Sequence, residues 1–312
     1  MRNAFADEIT LLAAEDKKIV LLPADIGNRL FDNFKTQFPD RFYNCGVAEA
    51  NAISMAAGMA LCGLRPIAYT ITPFITTRCF EQVRVDLCYN NVPVIIVGVG
   101  GGFGYASLGA THHSCEDIAI MRVLPNMTVI CPGDAFEVRA AVRAALKHNG
   151  PVYIRLGKKG EPLVHEKIPD FRIGKAIVIK NGHDVCLLST GNMLPIAFDT
   201  GKKLDKQEIS TQVVSFHTVK PLDKDMLSEI FRKFDLVVTI EEHSLLGGLG
   251  GSISEWLADN SPQKARLLRF GTWDLFLHKV GEQKYAREYF GLSAKALAEK
   301  ILEHYHKKIQ IN

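Results

Sequence analysis

Cys45-Gly46-Val47-Ala48-Glu49-Ala50-Asn51 opens a run that continues through Ser54, Ala56, Ala57, Gly58 and Ala60, and Ile67-Ala68-Tyr69-Thr70-Ile71 follows it. The first part predicts a small-residue helix over 48–61; the second predicts a short buried strand. A helix feeding a buried strand is the repeating unit of an α/β protein. Glu49 stands at the start of the helix with no Lys or Arg within a turn, among Ala, Asn, Ile and Met. A carboxyl buried in so weakly charged a place is expected to have a raised pKa. Such a group can hold or share a proton near neutral pH, as proton-relay chemistry requires. The plain alternative is a first-turn Glu complementing the helix dipole.

The same alternation runs outward in both directions. Residues 19–22, 94–99, 129–131 and 152–156 read as short buried strands, and 80–89, 116–122 and 135–147 as helices. From Gly157 to Gly174 the chain is rich in Gly, Lys, Pro and charge without periodicity, with the linker proper at 161–174. The pattern then restarts, with strands at 185–188, 211–215, 236–240 and 267–270 and helices at 194–204, 223–231, 250–259 and 293–309. The expected fold class is therefore α/β in two domains, 1–160 and 175–312. Each is a mostly parallel sheet with helices on both faces.

Composition narrows the function. The 312 residues are 47% hydrophobic and 23% charged, as in a globular protein, and the net charge of +3 is scattered. Neither a nucleic-acid nor a membrane-surface footprint is present. No stretch approaches the ~20 apolar residues of a membrane span, and residues 1–8 have no apolar signal core. Seven Cys without a C-x-x-C pair argue for reduced thiols and a cytoplasmic location. The His residues show no metal-ligand spacing, so no metal is expected on this chain's own ligands.

Two glycine runs need reading with care. Gly98-Val99-Gly100-Gly101-Gly102-Phe103-Gly104 follows a strand but gives no G-x-G-x-x-G in any register, and Gly247-Gly248-Leu249-Gly250-Gly251 fails as well. Both are expected to be places where the backbone turns sharply or something approaches closely.

Several segments, in order, resemble the pyrimidine-binding domain of transketolases and deoxyxylulose-phosphate synthases. They are Ala24-Asp25, Gly46-Val47-Ala48-Glu49, Pro73-Phe74 with Arg78-Cys79-Phe80-Glu81-Gln82-Val83, Gly109-Ala110-Thr111-His112, and Val152-Tyr153-Ile154-Arg155. Leu188-Ser189-Thr190-Gly191 and Thr239-Ile240-Glu241-Glu242-His243 resemble the transketolase C-terminal domain. The resemblance implies thiamine diphosphate with Mg²⁺ as cofactor and transfer of a two-carbon ketol unit between small sugars. It implies that Glu49 hydrogen-bonds the aminopyrimidine ring and activates it, and that Phe74 stacks on that ring. Phe80 is a weaker cofactor contact or ordinary core. Asp25 is a cofactor contact or a helix N-cap. His112 matches a residue that bonds sugar hydroxyls; His113 is a wall or surface residue. Arg2 and Lys158 match two phosphate-binding arginines.

The departures are informative. An acid four residues before the matching histidine becomes Leu108, a phosphate-contacting histidine becomes Gly100, a phosphate-contacting serine becomes Arg29, and one residue is added around Thr76-Thr77. The acceptor end of the pocket is thus rebuilt. No Gly-Asp-Gly occurs, although the family uses one, with a later Asn, to bind the diphosphate and Mg²⁺. The chain is accordingly expected to be the C-terminal half of a split transketolase, completed by a diphosphate-binding N-terminal subunit. Its exposed apolar face, rimmed by Asp25, Glu49, Phe74 and the 98–104 loop, is expected to pair, giving an α2β2 complex. Two alternatives remain: the beta subunit of a 2-oxo acid dehydrogenase, and an inactive α/β binding or scaffolding module.

Overall fold

Apolar runs such as Ile19-Val20-Leu21-Leu22 leave a strand no polar face, so both faces must be covered. The computed structural model describes residues 1–27, 29–260 and 264–309 and shows how this is achieved. Strands β1 (Ile19–Pro23), β2 (Arg65–Ile71), β3 (Ile95–Val99), β4 (Thr128–Ile130) and β5 (Val152–Leu156) lie in the order β1-β2-β3-β5-β4, all parallel. Around them fold helices α1 (Arg2–Glu15), α2 (Asp32–Gln37), α3 (Glu49–Leu61), α4 (Thr72–Ile75), α5 (Phe80–Gln82), α6 (Asp117–Val123) and α7 (Ala135–Lys147). Ile19, Leu21, Ile67 and Ile154 join Phe5 and Ile9 of α1 and Val138 of α7 in one core. Val20, Leu22, Ala68 and Tyr153 join Ile53 and Ala56 of α3 and Met121 of α6 in the other. The helix expected over 80–89 is one α turn that continues as a π-helical stretch, Val83–Tyr89.

The second half repeats the scheme. It contains β6 (Ile177–Lys180), β7 (Val185–Ser189), β8 (Thr211–Ser215), β9 (Thr218–Lys220), β10 (Leu236–Ser244) and β11 (Arg266–Thr272). Its helices are α8 (Leu194–Asp205), α9 (Lys224–Lys233), α10 (Leu249–Asp259), α11 (Gln283–Tyr289) and α12 (Ala294–Ile309). The sheet order is β11-β10-β7-β8-β6, parallel except for β6. Strand β9 does not belong to it. Three residues long, β9 pairs antiparallel with β4 and closes the edge of the first sheet. An uncovered edge would leave unpaired backbone groups, which explains why the chain crosses back. The linker is pinned as well: Val164 and His165 donate their N–H groups to Asp134 Oδ2, and Phe171 stacks on His217.

Successive residues of a strand point to opposite faces. Glu241 and Glu242, adjacent on β10, therefore serve different partners. Glu241 accepts the N–H groups of Leu249 (2.7 Å) and Gly250 (2.8 Å) at the start of α10. Burial pushes its carboxyl up to about 7, against the pull of those two donors. Glu242 accepts from Phe103 N (2.7 Å) in the first half of the chain, from Asn192 Nδ2 (3.3 Å) and from Gln283 Nε2 (2.8 Å), and it pairs with Arg287.

Between the halves, the buried Arg155 donates to Asp117 Oδ2 (2.7 Å), Ser114 O (3.1 Å) and Glu242 O (2.9 Å). Removing one partner of a buried ion pair strands the other charge. Arg155→Met is expected to lower unfolding free energy by about 3 to 5 kcal/mol in urea titrations followed by near-UV circular dichroism.

Candidate active site

Asp25, Phe74, Gly100 and Lys158 follow the carboxyl ends of β1, β2, β3 and β5. Ligands of open α/β sheets bind at that end. Asp25 is exposed, with φ +49°, and exchanges hydrogen bonds with Asn44, which also accepts from Gly46 N (2.9 Å). No helix begins at Asp25, so the N-cap alternative does not hold. Instead, Asp25 and Asn44 tie the end of β1 to the loop that delivers Glu49.

Glu49 is the first residue of α3 and is 4% exposed. The expectation that it has no charged neighbour is corrected: its Oε2 pairs with Arg78 Nη1 at 2.9 Å. Arg78 is distant in sequence but is returned over the start of α3 by the turn between α4 and α5. Reading only the residues within a helical turn could not find it. A buried carboxylate demands a partner, which was the available signal, and Arg78 stood in the Arg-Cys-Phe-Glu-Gln run. The other oxygen, Oε1, has no hydrogen-bond partner among the described residues.

From Arg78 the contacts run on. Its guanidinium lies 4.2 Å from the Phe74 ring centroid, and the Phe74 and His112 rings meet edge-on at 5.2 Å. Thr111 Oγ1 lies 3.0 Å from His112 Nδ1, and Nε2 has no partner among the described residues. Burial and the positive Arg78 hold the His112 imidazole below its ordinary pKa. His113 is buried against Phe103, with Nε2 at 3.4 Å from Ala106 O, and so braces the loop. Phe80 packs against the core around α3.

Beyond His112 stands Tyr105, at 6.3 Å between ring centroids, a residue the sequence reading passed over. The Lys158 ammonium lies over its ring at 4.5 Å, and the Arg2 guanidinium lies beside its hydroxyl. Arg2 Nε is buried without a hydrogen-bond partner. Gly100, at φ +81°, lies flat under the ring: a Cβ there would come within 2.2 Å of Tyr105 Cδ2. Leu108 is half exposed. The 98–104 loop, expected at the rim of an exposed face, is instead buried between the two halves. A Cβ on Gly102 would meet Glu242 Oε1 at 2.4 Å. A carboxylate of β10 closes on each glycine run, Glu242 at Gly102 and Glu241 at Gly248, while Tyr105 covers Gly100.

The donor set fits an aminopyrimidine: a buried carboxyl with one free oxygen, beside an aromatic ring that is not fully covered. Among the described residues, no group of three or more His, Cys, Asp or Glu is placed to hold a metal ion, and no helix is long and apolar enough to cross a membrane.

Two α/β units joined through a buried glycine loop, with this carboxyl at the sheet's carboxyl end, define a two-domain α/β protein with a ligand site at its strand ends. Residues 1–161 match the pyrimidine-binding domain of transketolase and residues 174–297 its C-terminal domain, so the chain belongs to the transketolase family. It is 35% identical over 311 residues to a transketolase C-terminal section from Methanocaldococcus jannaschii, covering 99% of this chain and 97% of that protein. It is 38% identical to a 6-deoxy-6-sulfo-D-fructose transketolase subunit from a Clostridium species, covering 95% and 92%. Among solved structures, a split-gene transketolase described as an inactive β4 tetramer matches with a TM-score of 0.87 and 36% identity, covering 97% of this chain and 96% of that one.

The Arg78–His112 proximity is testable in solution. Taking away the positive charge relieves repulsion of the imidazolium, so Arg78→Met is expected to raise the His112 pKa. An NMR pH titration of the His112 Cε1–H resonance reads it, with the wild type titrating below the ordinary histidine value and the variant above the wild type.

Proposed function

We propose that this chain is the C-terminal subunit of a split, thiamine-diphosphate-dependent transketolase-like enzyme that moves a two-carbon ketol unit between sugars. The observation that carries the reading is Glu49: a carboxyl enclosed at a helix start, held through Oε2 by Arg78 and free at Oε1. Bound thiamine diphosphate supplies the stabilised carbanion equivalent that ketol transfer needs. Glu49 would hold the pyrimidine ring nitrogen and exchange a proton with it, and Phe74 would cover the ring face. Arg78 fixes the Glu49 carboxyl in one orientation. His112, held below its ordinary pKa, presents a neutral Nε2 that can donate to or accept from a sugar hydroxyl. Asp25 would contribute at the cofactor's edge and Phe80 only from beneath, through the core.

The diphosphate and Mg²⁺ fall to an N-terminal partner subunit. Partner dependence is supported by coverage: the chain spans 97% of a free-standing transketolase section but 46% of a single-chain deoxyxylulose-phosphate synthase from Geobacter sulfurreducens. Exposed Val47, Met55, Val85 and Tyr89 on α3, its leading loop and the adjacent π-helical stretch support a homodimer contact within an α2β2 complex. The related β4 assembly is described as inactive, in keeping with a need for the partner. Two relatives are named for sugars with an anionic end, a sulfonate in one and a phosphate in the other. Arg2 and Lys158 suit such a group. Seven free thiols suit a reducing cytoplasm.

Glu49→Gln keeps the shape but cannot exchange the proton. In the reconstituted complex it is expected to lower kcat by about 10² to 10⁴, with assembly by size-exclusion chromatography unchanged. Turnover within twofold of wild type would remove Glu49 from the mechanism. Titration calorimetry with thiamine diphosphate and Mg²⁺ is expected to give little heat with this chain alone and clear binding once the partner is present. Tight binding by the isolated chain would overturn the split-site reading.

A further inference from the structure

Two cations converge on one aromatic ring at the far end of the contact file. Lys158 lies over the Tyr105 face, Arg2 lies beside its hydroxyl, and Arg2 Nε is buried and unsatisfied. Among the described residues, neither cation has a carboxylate partner. A lysine ammonium sits on a flexible four-carbon stem, so without an acid it keeps one position only if something else holds it. An aromatic face is such a holder. The ring in turn is held: Gly100 lies beneath it at a distance that admits no side chain, and His112 stands beside it.

We propose that Tyr105 is a positioning residue whose ring fixes Lys158, next to Arg2, as a clamp for the sulfonate or phosphate end of the sugar. This deepens the proposed function and rests on it for the identity of the substrate. The polar contact missing at position 100 is not simply lost. Glycine there makes room for a ring that places a cation instead. The ring, rather than the hydroxyl, carries the effect, which separates two conservative variants.

The test uses the full chain and inorganic phosphate as probe. Lysines are reductively methylated with ¹³C, and Lys158→Arg identifies the Lys158 signal. Expected is a Lys158 methyl resonance shifted upfield by the ring current in wild type and in Tyr105→Phe, and unshifted in Tyr105→Leu. Phosphate should move it, with Kd weakened about tenfold in Tyr105→Leu and less than about threefold in Tyr105→Phe. In the complex, Tyr105→Leu should raise KM for erythrose 4-phosphate by a similar factor. The kcat should stay within about threefold, KM for glycolaldehyde should not change, and combining the change with Lys158→Met should add nothing further. An unshifted wild-type resonance, or equal phosphate binding by Tyr105→Leu, overturns the proposal. A complex that transfers no ketol unit refutes the functional reading, while the resonance and phosphate measurements still decide the role of Tyr105.

Discussion

The carboxylate of Glu242 fixes where the glycine loop lies, and the Tyr105–His112 end of the site hangs from that loop. It is buried, belongs to the second half of the chain and takes the Phe103 N–H from the first. Asn192, Gln283 and Arg287 hold it from its own side, so it cannot follow the loop if the loop shifts. Gly102 lets it approach, and Phe103 packs between His113 and Phe290. The loop then rises to Tyr105 and His112. Among the described residues, no hydrogen bond or ion pair joins the second half to Glu49, yet this half fixes the loop that leads to Tyr105 and His112. In a low-dielectric interior a fully partnered carboxylate of this kind is rigid, and its rigidity is transmitted.

Much of the fold was legible because it is written in long apolar runs. Ile19 to Leu22, 94–99 and 152–156 can only be strands covered on both sides, and the helices between them have one reading. What escaped was mostly short or non-local, with the 14-residue helix Arg2–Glu15 as the exception. Ile177–Lys180 is four residues long, lies at the sheet edge and is only partly buried, although three of its four residues are apolar. Thr218–Lys220 is three residues long and gets its identity from β4, far away in sequence. The π-helical widening at 83–89 leaves no mark that periodicity could detect.

The site divides in the same way. Glu49, Phe74 and His112 were named from motifs in register, and the fold brings them into one file of contacts. Asp25 instead bonds Asn44, and Phe80 packs against the core around α3. Arg78 was missed because charge was counted along the helix rather than across it, so a carboxyl that looked solitary has a guanidinium against it. Tyr105 is not legible because the glycines before it carry no sign of the ring that Gly100 admits. Their meaning lies in what they admit: Glu242 at Gly102 and a phenol ring at Gly100. An absence of side chain is legible only once the neighbour that fills it is known.

The small strand β9 gives the molecule a property that its linear map conceals. The family boundary falls near residues 161–174, which suggests two modules joined by a tether. Yet residues 218–220 are woven into the first sheet as its border. Cutting the tether would therefore leave the first module frayed along Thr128–Ile130, with a raw edge inviting the nearest extended chain. The two halves behave as an interlaced pair rather than beads on a string. Recombination between relatives can exchange the whole of this chain, but a crossover at the linker has to carry the border strand along with the sheet it hems.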